Sequence, residues 1–380
     1  MDNTARDRLQ IRSERAAGRH FVELGRGAAR EAFLTLPALP GEAPAALLGR
    51  LYRWLDDSPD WRILRQDVFG VVGDAASHRS GKAHRLGGRD WPQTWVEQGN
   101  GEGSPVAGLQ VQAVAGIPTK AVRVEGRTLG ILHEDEWARY CVLGGLQSTR
   151  PDDPREAQSE QVLALMHQAL AEAGMGFSNV IRTWFYLDDI LDWYDGFNAV
   201  RNAFFEKHGI FDGLVPASTG IGGGNAAGGA LVADLIAIEP KSPALSLRAV
   251  PSPLQCPALE YGSSFSRAVE IRTPGEQRLL VSGTASIAPE GHTIHVGNVD
   301  AQVATTMEVV GAILESCGLG WQDSVRAIGY FKHANDIGAF DRYCASAGLP
   351  ALPIIITKND VCRDDLLFEL EVDAIRVTEI

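Results

Sequence analysis

The chain has 380 residues, a net charge of −13, and 45% hydrophobic and 22% charged residues. This length exceeds one ordinary core and points to two or three, while the average composition argues against disorder and fibrous repeats. The acidic balance excludes broad phosphate-backbone binding, which needs clustered Lys and Arg, so no nucleic-acid partner is expected. A small anionic ligand gripped by one or two buried arginines stays open.

No window approaches about 18 consecutive apolar residues, and the polar start at Met1 has no apolar run behind it. Neither a membrane partner nor a secretory signal is expected, and the cytoplasm is the expected location. The five cysteines (Cys141, Cys256, Cys317, Cys344, Cys362) form no CxxC and no zinc-type Cys/His spacing, which suits reduced thiols. His292 and His295 are the one close histidine pair. Turn histidines of this kind are commoner than metal sites, so no metal or cofactor is expected.

In chain order, Phe33-Leu-Thr-Leu-Pro37 reads as a strand, and Ala43 to Leu55 as a helix with Ala46, Leu47, Leu51 and Leu55 on one side. Ile63 to Val72 and Gly108 to Ala115 read as further strands. From Val142 the pattern becomes clearer: a strand to Ser148, a helix from Ser159 to Ala173, a Gly-containing turn, a strand through Arg182 to Tyr186, a second helix holding Phe197, and a closing strand from Leu231 to Ile238. The same order returns at Val281 to Ile287, Ala301 to Ser316, Arg326 to Tyr330, the helix of Phe340, and Leu366 to Ala374.

Without a gap, Leu163, Met166 and Leu170 fall on Met307, Val310 and Leu314, Gly176 on Gly320, and Arg182 on Arg326. Three copies of one unit are therefore expected, the first worn, over residues 1–125, 126–245 and 246–380. Approximate alternation in the closing strands predicts a sheet with helices on one face only. Laid over one another, these strands place Gln110, Asp234 and Glu369 at one position. That predicts one principal pocket, with Asp234 leaving room for a second.

The units resemble the RidA/YjgF family, α/β (α+β) subunits with mixed sheets that assemble as trimers with pockets between subunits. The fold class expected is a single-chain pseudo-trimer of such units. Four words of the last third, Tyr261-Gly-Ser-Ser-Phe-Ser-Arg267, Val281-Ser-Gly-Thr-Ala-Ser-Ile287, Gly291-His-Thr-Ile-His295 and Val361-Cys-Arg-Asp-Asp-Leu-Leu-Phe-Glu369, resemble chorismatases. Those are cofactor-independent enzymes of tandem RidA-like domains that remove pyruvate from chorismate.

The resemblance implies that Glu369 protonates the enol-ether methylene and that Cys362 acts where 3-hydroxybenzoate, not a dihydroxycyclohexadienoate, is the product. It makes Arg267, Arg182 and Arg363 candidates for gripping substrate carboxylates, and Tyr186, Tyr261, Gly283 and Ala285 candidates for the pocket wall. Glu371 shares the face of Glu369 and can tune it.

The words Pro216-Ala-Ser-Thr and Pro350-Ala-Leu-Pro lack the arginine of a RidA-type Pro-Ala-Arg-Ser, which counts against imine hydrolysis. The segment Leu187 to Tyr194 also departs from a chorismatase. A RidA-like binder of a small carboxylate without turnover, or an imine or enamine deaminase, are the alternatives. The glycine run Gly220 to Gly229 leads into a strand and reads as a loop beside the pocket. Three linked units close their own ring, so a monomer is expected, with a further dimer open.

Overall fold

The computed structural model describes residues 9–16, 18–70, 90–97 and 106–378, apart from the side chain of Tyr261. Three six-stranded sheets share one topology. The first holds β1 (Gln10–Ala16), β2 (Arg19–Arg26), β3 (Ala29–Pro37), β4 (Arg62–Gly70), β5 (Gln93–Val96) and β6 (Val106–Ala115). The second holds β7 (Thr119–Val124), β8 (Arg127–Glu134), β9 (Ala138–Gln147), β10 (Val180–Leu187), β11 (Ala217–Gly222) and β12 (Leu231–Pro240). The third holds β13 (Ser246–Val250), β14 (Ala268–Thr273), β15 (Glu276–Ala285), β16 (Ser324–Phe331), β17 (Ile354–Lys358) and β18 (Phe368–Val377).

In every sheet the strands lie in the order first, second, third, sixth, fourth, fifth, with only the fourth and fifth parallel. The N-terminal third thus carries the same six-stranded sheet as the other two. The second sheet already starts at Thr119, ahead of the boundary expected at 126. The strand expected over Ile63–Val72 ends at Gly70, and 71–72 lie outside the described residues.

A helix follows the third strand of each unit: α1 (Pro44–Asp57), α2 (Arg155–Glu172) and, in the last unit, α4 (Val299–Ser316). A second helix bridges the parallel pair, as α3 (Ile190–Lys207) and α5 (Gly338–Ala347). Pro44 starts α1, where its missing N–H costs nothing. Leu47, Leu48, Leu51 and Leu55 of α1 are buried, whereas Ala46 faces solvent. The turns after α2 and α4 close alike, with the Gly176 N–H donating to Asn179 and the Gly320 N–H to Asp323.

Each helix layer packs on one face of its own sheet. The opposite faces are buried as well, because the three sheets turn them toward a common axis. Phe69, Tyr186 and Tyr330 meet there, one from each unit, and paired clusters such as Val22 with Ile375 and Leu64 with Val142 seal the seams. This is why the closing strands alternate only weakly: β18 is buried on both faces from Phe368 to Ile375.

The seam between the third and first units is packed shut. Ile355 of β17 lies against Gly108 of β6, where a Cβ would collide with the Ile355 side chain and the Leu36 carbonyl. Gly108→Val is therefore expected to lower unfolding free energy by about 1–3 kcal/mol, measured by urea denaturation. A change within about 0.5 kcal/mol, the range of ordinary surface substitutions, would show that this seam is slack.

Candidate active site

The strand registers align the three units without reference to sequence. Each fourth strand carries a register shift at its start, immediately followed by an arginine: Arg65, Arg182 and Arg326. Two residues on, Asp67, Trp184 and Ile328 pair with Gln110, Asp234 and Glu371, and two further, Phe69, Tyr186 and Tyr330 pair with Gly108, Val232 and Glu369. Gln110 and Asp234 are thus the counterparts of Glu371, not of Glu369. A slip of two residues keeps the same face of a strand, so the side-chain period cannot reveal it. At the position of Glu369 the other units carry Gly108 and Val232, and neither supplies an acid.

Asp234 has a different task from the one expected. It accepts hydrogen bonds from Thr94 Oγ1 (2.5 Å) and the Gly145 N–H (2.8 Å), and pairs with Arg65 (3.2 Å). Burial raises its pKa to about 6 against the pull of Arg65. Pro92 and Gln93 press on Gly144 and Gly145 from the first unit and fill that seam. Asp234 is thus engaged in joining the first and second units.

The seam between the second and third units is open. A cavity of about 400 Å³ lies there, and Glu369 faces it from β18. Glu369 is 5% exposed, and its carboxyl lies over Gly283, so a Cβ at that glycine would collide with Oε1. Burial, helped by the Glu371 carboxylate, pushes its pKa up to about 8 against the opposing Arg182 and Arg267. At neutral pH it is a protonated acid.

Glu371 takes the opposite state. Burial would raise its pKa, yet Arg326 (2.7 Å), Arg182 (2.9 Å) and the Thr219 hydroxyl (2.5 Å) hold it below the usual range. The Trp184 indole N–H also donates to it. Two carboxyls on one strand face are therefore split by their surroundings into a proton holder and a fixed anion.

Of the residues expected at the site, Glu369, Cys362, Arg267, Arg363, Gly283 and Ala285 line the cavity. Arg182 and Tyr186 do not. Arg182 is fully buried toward the axis and spends its Nη2 on Glu371 and Thr219; its equivalence to Arg326 is the mark of that structural task. Tyr186 packs edge-on to Phe69 in the axial core. Tyr261 closes a short 3-10 turn, Ala258–Tyr261, and its side chain lies outside the described residues.

Arg267 donates through Nε and Nη2 to the Cys256 carbonyl, tying down the segment that precedes it, and Arg363 donates to the Gly291 carbonyl. Burial, with Glu369 beside it, pushes the Cys362 thiol up to about 12, so this residue faces the pocket as a neutral thiol and not as a thiolate. Tyr194 and Phe265 are the aromatic residues lining the cavity; Trp193 is anchored in the core by its N–H on the Asp188 carbonyl. Gly220 alone of the glycine run reaches the wall. No group of three or more metal-binding side chains occurs among the described residues.

Arg201 is absent from the sequence expectations. It projects from α3 into the cavity and is 1% exposed, with Nη2 on Asn198 Oδ1 at 2.8 Å and a bond to Tyr194. Its Nε has no hydrogen-bond partner, and no carboxylate pairs with it among the described residues. The signal was a polar stripe at helical spacing, Tyr194, Asn198 and Arg201. A buried guanidinium without an anion is the costly half of an ion pair, and it awaits the other half.

A family model described as Endoribonuclease L-PSP matches residues 145–232. A 3-hydroxybenzoate synthase of Streptomyces hygroscopicus is 28% identical over 224 residues, covering 52% of this chain and 63% of that protein. A chorismatase of the same organism is 28% identical over 226 residues, covering 52% and 62%. The chain thus aligns with less than two thirds of the length of these relatives. A chorismatase crystal structure superposes with a TM-score of 0.60 at 20% identity, covering 82% of this chain and 93% of that one, and so shares the fold. With three sheets of one topology and an acid-bearing seam between the last two, the chain is similar in fold, and over about half its sequence, to chorismatases, and it carries a stretch that matches the Endoribonuclease L-PSP family.

Proposed function

We propose that the chain is an enzyme that converts chorismate, releasing pyruvate in a reaction begun by proton transfer from Glu369. The observation that carries this reading is a carboxylic acid kept protonated at neutral pH in the same cavity as Arg201, a buried cation with no counter-ion. The relatives named for chorismate chemistry support the substrate.

Chorismate is a dicarboxylate with an enol-ether side chain. Arg201, joined by Arg267 and Arg363 at the wall, supplies the positive charge that a carboxylate needs on leaving water. Glu369 then delivers its proton to the terminal methylene of the enol ether, turning it into a methyl group and leaving an oxocarbenium centre. Addition of water there gives a hemiketal, which collapses to pyruvate and a dihydroxycyclohexadienoate. Elimination within the bound substrate instead gives pyruvate and 3-hydroxybenzoate with no water consumed. In both routes the Glu369 carboxylate regains one proton per turnover. The Cys362 thiol lies close enough to Glu369 for that carboxyl to help hold it neutral, and it lines the same cavity.

Incubation with chorismate, with pyruvate coupled to lactate dehydrogenase, tests the reading, and no pyruvate at high enzyme concentration would sink it. Glu369→Gln keeps the shape and removes the acid, so pyruvate formation is expected to fall at least about 100-fold, as for other general acids. The acid form is needed, so kcat/KM should hold below about pH 8 and fall as pH rises through the Glu369 pKa of about 8. A profile flat from neutral pH to well above that value would contradict the assignment. Arg201→Met is expected to cost about 10- to 100-fold in kcat/KM, the worth of a charge-assisted hydrogen bond or two. An unchanged kcat/KM in a folded variant would remove Arg201 from the site.

A further inference from the structure

A second large cavity, of about 270 Å³, lies where the three sheets meet at one end of the pseudo-threefold axis. Its walls come from all three units and are mainly aliphatic, with Leu24 and Val114 of the first, Val142 and Ile238 of the second, and Leu280 and Ile375 of the third. Apolar space of this size is suited to a ring compound, since a cavity of about 150 Å³ already takes benzene.

The charged groups at its rim are largely matched. Arg278 meets Glu31 (2.5 Å) and Glu276, and Arg26 meets Glu136 (2.7 Å). Carboxyls nevertheless predominate, because Glu31, Asp135, Glu136, Glu276 and Asp373 stand against Arg26, Arg30 and Arg278. The floor is formed by Gln112, Ile236 and Asp373, which also bound a small void of about 20 Å³ against Trp184 and Arg326. Asp373 is 5% exposed and turns Oδ2 to Arg326 at 3.4 Å, while its Oδ1 has no hydrogen-bond partner among the described residues. A buried acceptor left unmatched costs free energy that a donor on a ligand would recover.

We propose that this axial cavity is a second binding site, for a small uncharged aromatic or alicyclic molecule whose hydroxyl donates to Asp373 Oδ1. The aliphatic walls take the ring, the unmatched acceptor takes the hydroxyl, and the excess of carboxyls rejects an anion. The preference is the reverse of that at Arg201, so the two cavities sort uncharged from anionic rings.

The probes are para-cresol and benzoate, titrated into the full chain and followed by methyl NMR. Saturable one-to-one binding of para-cresol is expected, with nuclear Overhauser contacts from its ring to the Val142 and Ile238 methyls and no competition from benzoate. Ile238→Trp fills the space and should weaken para-cresol at least about tenfold, as bulk inserted into packed space does, while Arg201→Met leaves it unchanged. If Ile238→Trp does not fold, the contacts in the unmodified protein decide. Absence of saturable binding, contacts to methyls elsewhere, loss of para-cresol in Arg201→Met, or displacement by benzoate would each overturn the proposal.

Discussion

The structure turns on a cluster of buried charges around Trp184. Arg65, Arg182 and Arg326, one from each unit, lie 3.7, 4.3 and 5.2 Å from its ring centroid. Asp67, Asp234, Glu371 and Asp373 hold the three guanidiniums in a shared network of ion pairs. The π-face of an indole tolerates guanidinium well, and the shared carboxyls offset the repulsion between the three cations. Removing one partner would leave a buried charge uncompensated, at about 3–5 kcal/mol. The cluster therefore binds the units more specifically than apolar contact alone, because each arginine is bonded across a seam or along its own strand.

The same cluster sets the chemistry beside it. Four carboxyls share three guanidiniums, so there is little positive charge to spare for a fifth carboxyl. Glu371 takes the contacts of Arg182 and Arg326, and at Glu369, two residues along β18, burial and a neighbouring anion outweigh the pull of Arg182 and Arg267. Its retained proton is thus a consequence of how the units are joined. Thr219 links the two functions, because its hydroxyl donates to Glu371 and accepts from the Gly283 N–H, under the carboxyl of Glu369.

Much of this was legible in the sequence, for physical reasons that also explain the misses. Helical and strand periods survive in all three units, so the repeat could be found even where β3, α1 and β6 had lost resemblance to their counterparts. Period could not distinguish Asp234 as the counterpart of Glu371 from Asp234 as the counterpart of Glu369, since both choices leave it on the same face. Family words located Glu369, Cys362, Arg267 and Arg363 along the chain. They could not say which arginines point to the axis and which to the cavity, so Arg182 and Tyr186 were expected at a cavity that β10 does not line. Arg201 escaped because a lone arginine on an amphipathic helix reads as solvated. Only the fold shows that this face of α3 meets another unit.

The packing of Ile355 against Gly108 has a consequence for how such a protein can change. In a trimer of identical subunits every substitution is repeated at three seams, and a residue that improves adhesion at one would obstruct the opening at another. Here each substitution is felt once. The seam of Ile355 and the seam of Thr94 and Asp234 can be tightened as adhesive, while the seam of Thr219 and Glu371 stays open, so covalent linkage separates the demand for cohesion from the demand for access.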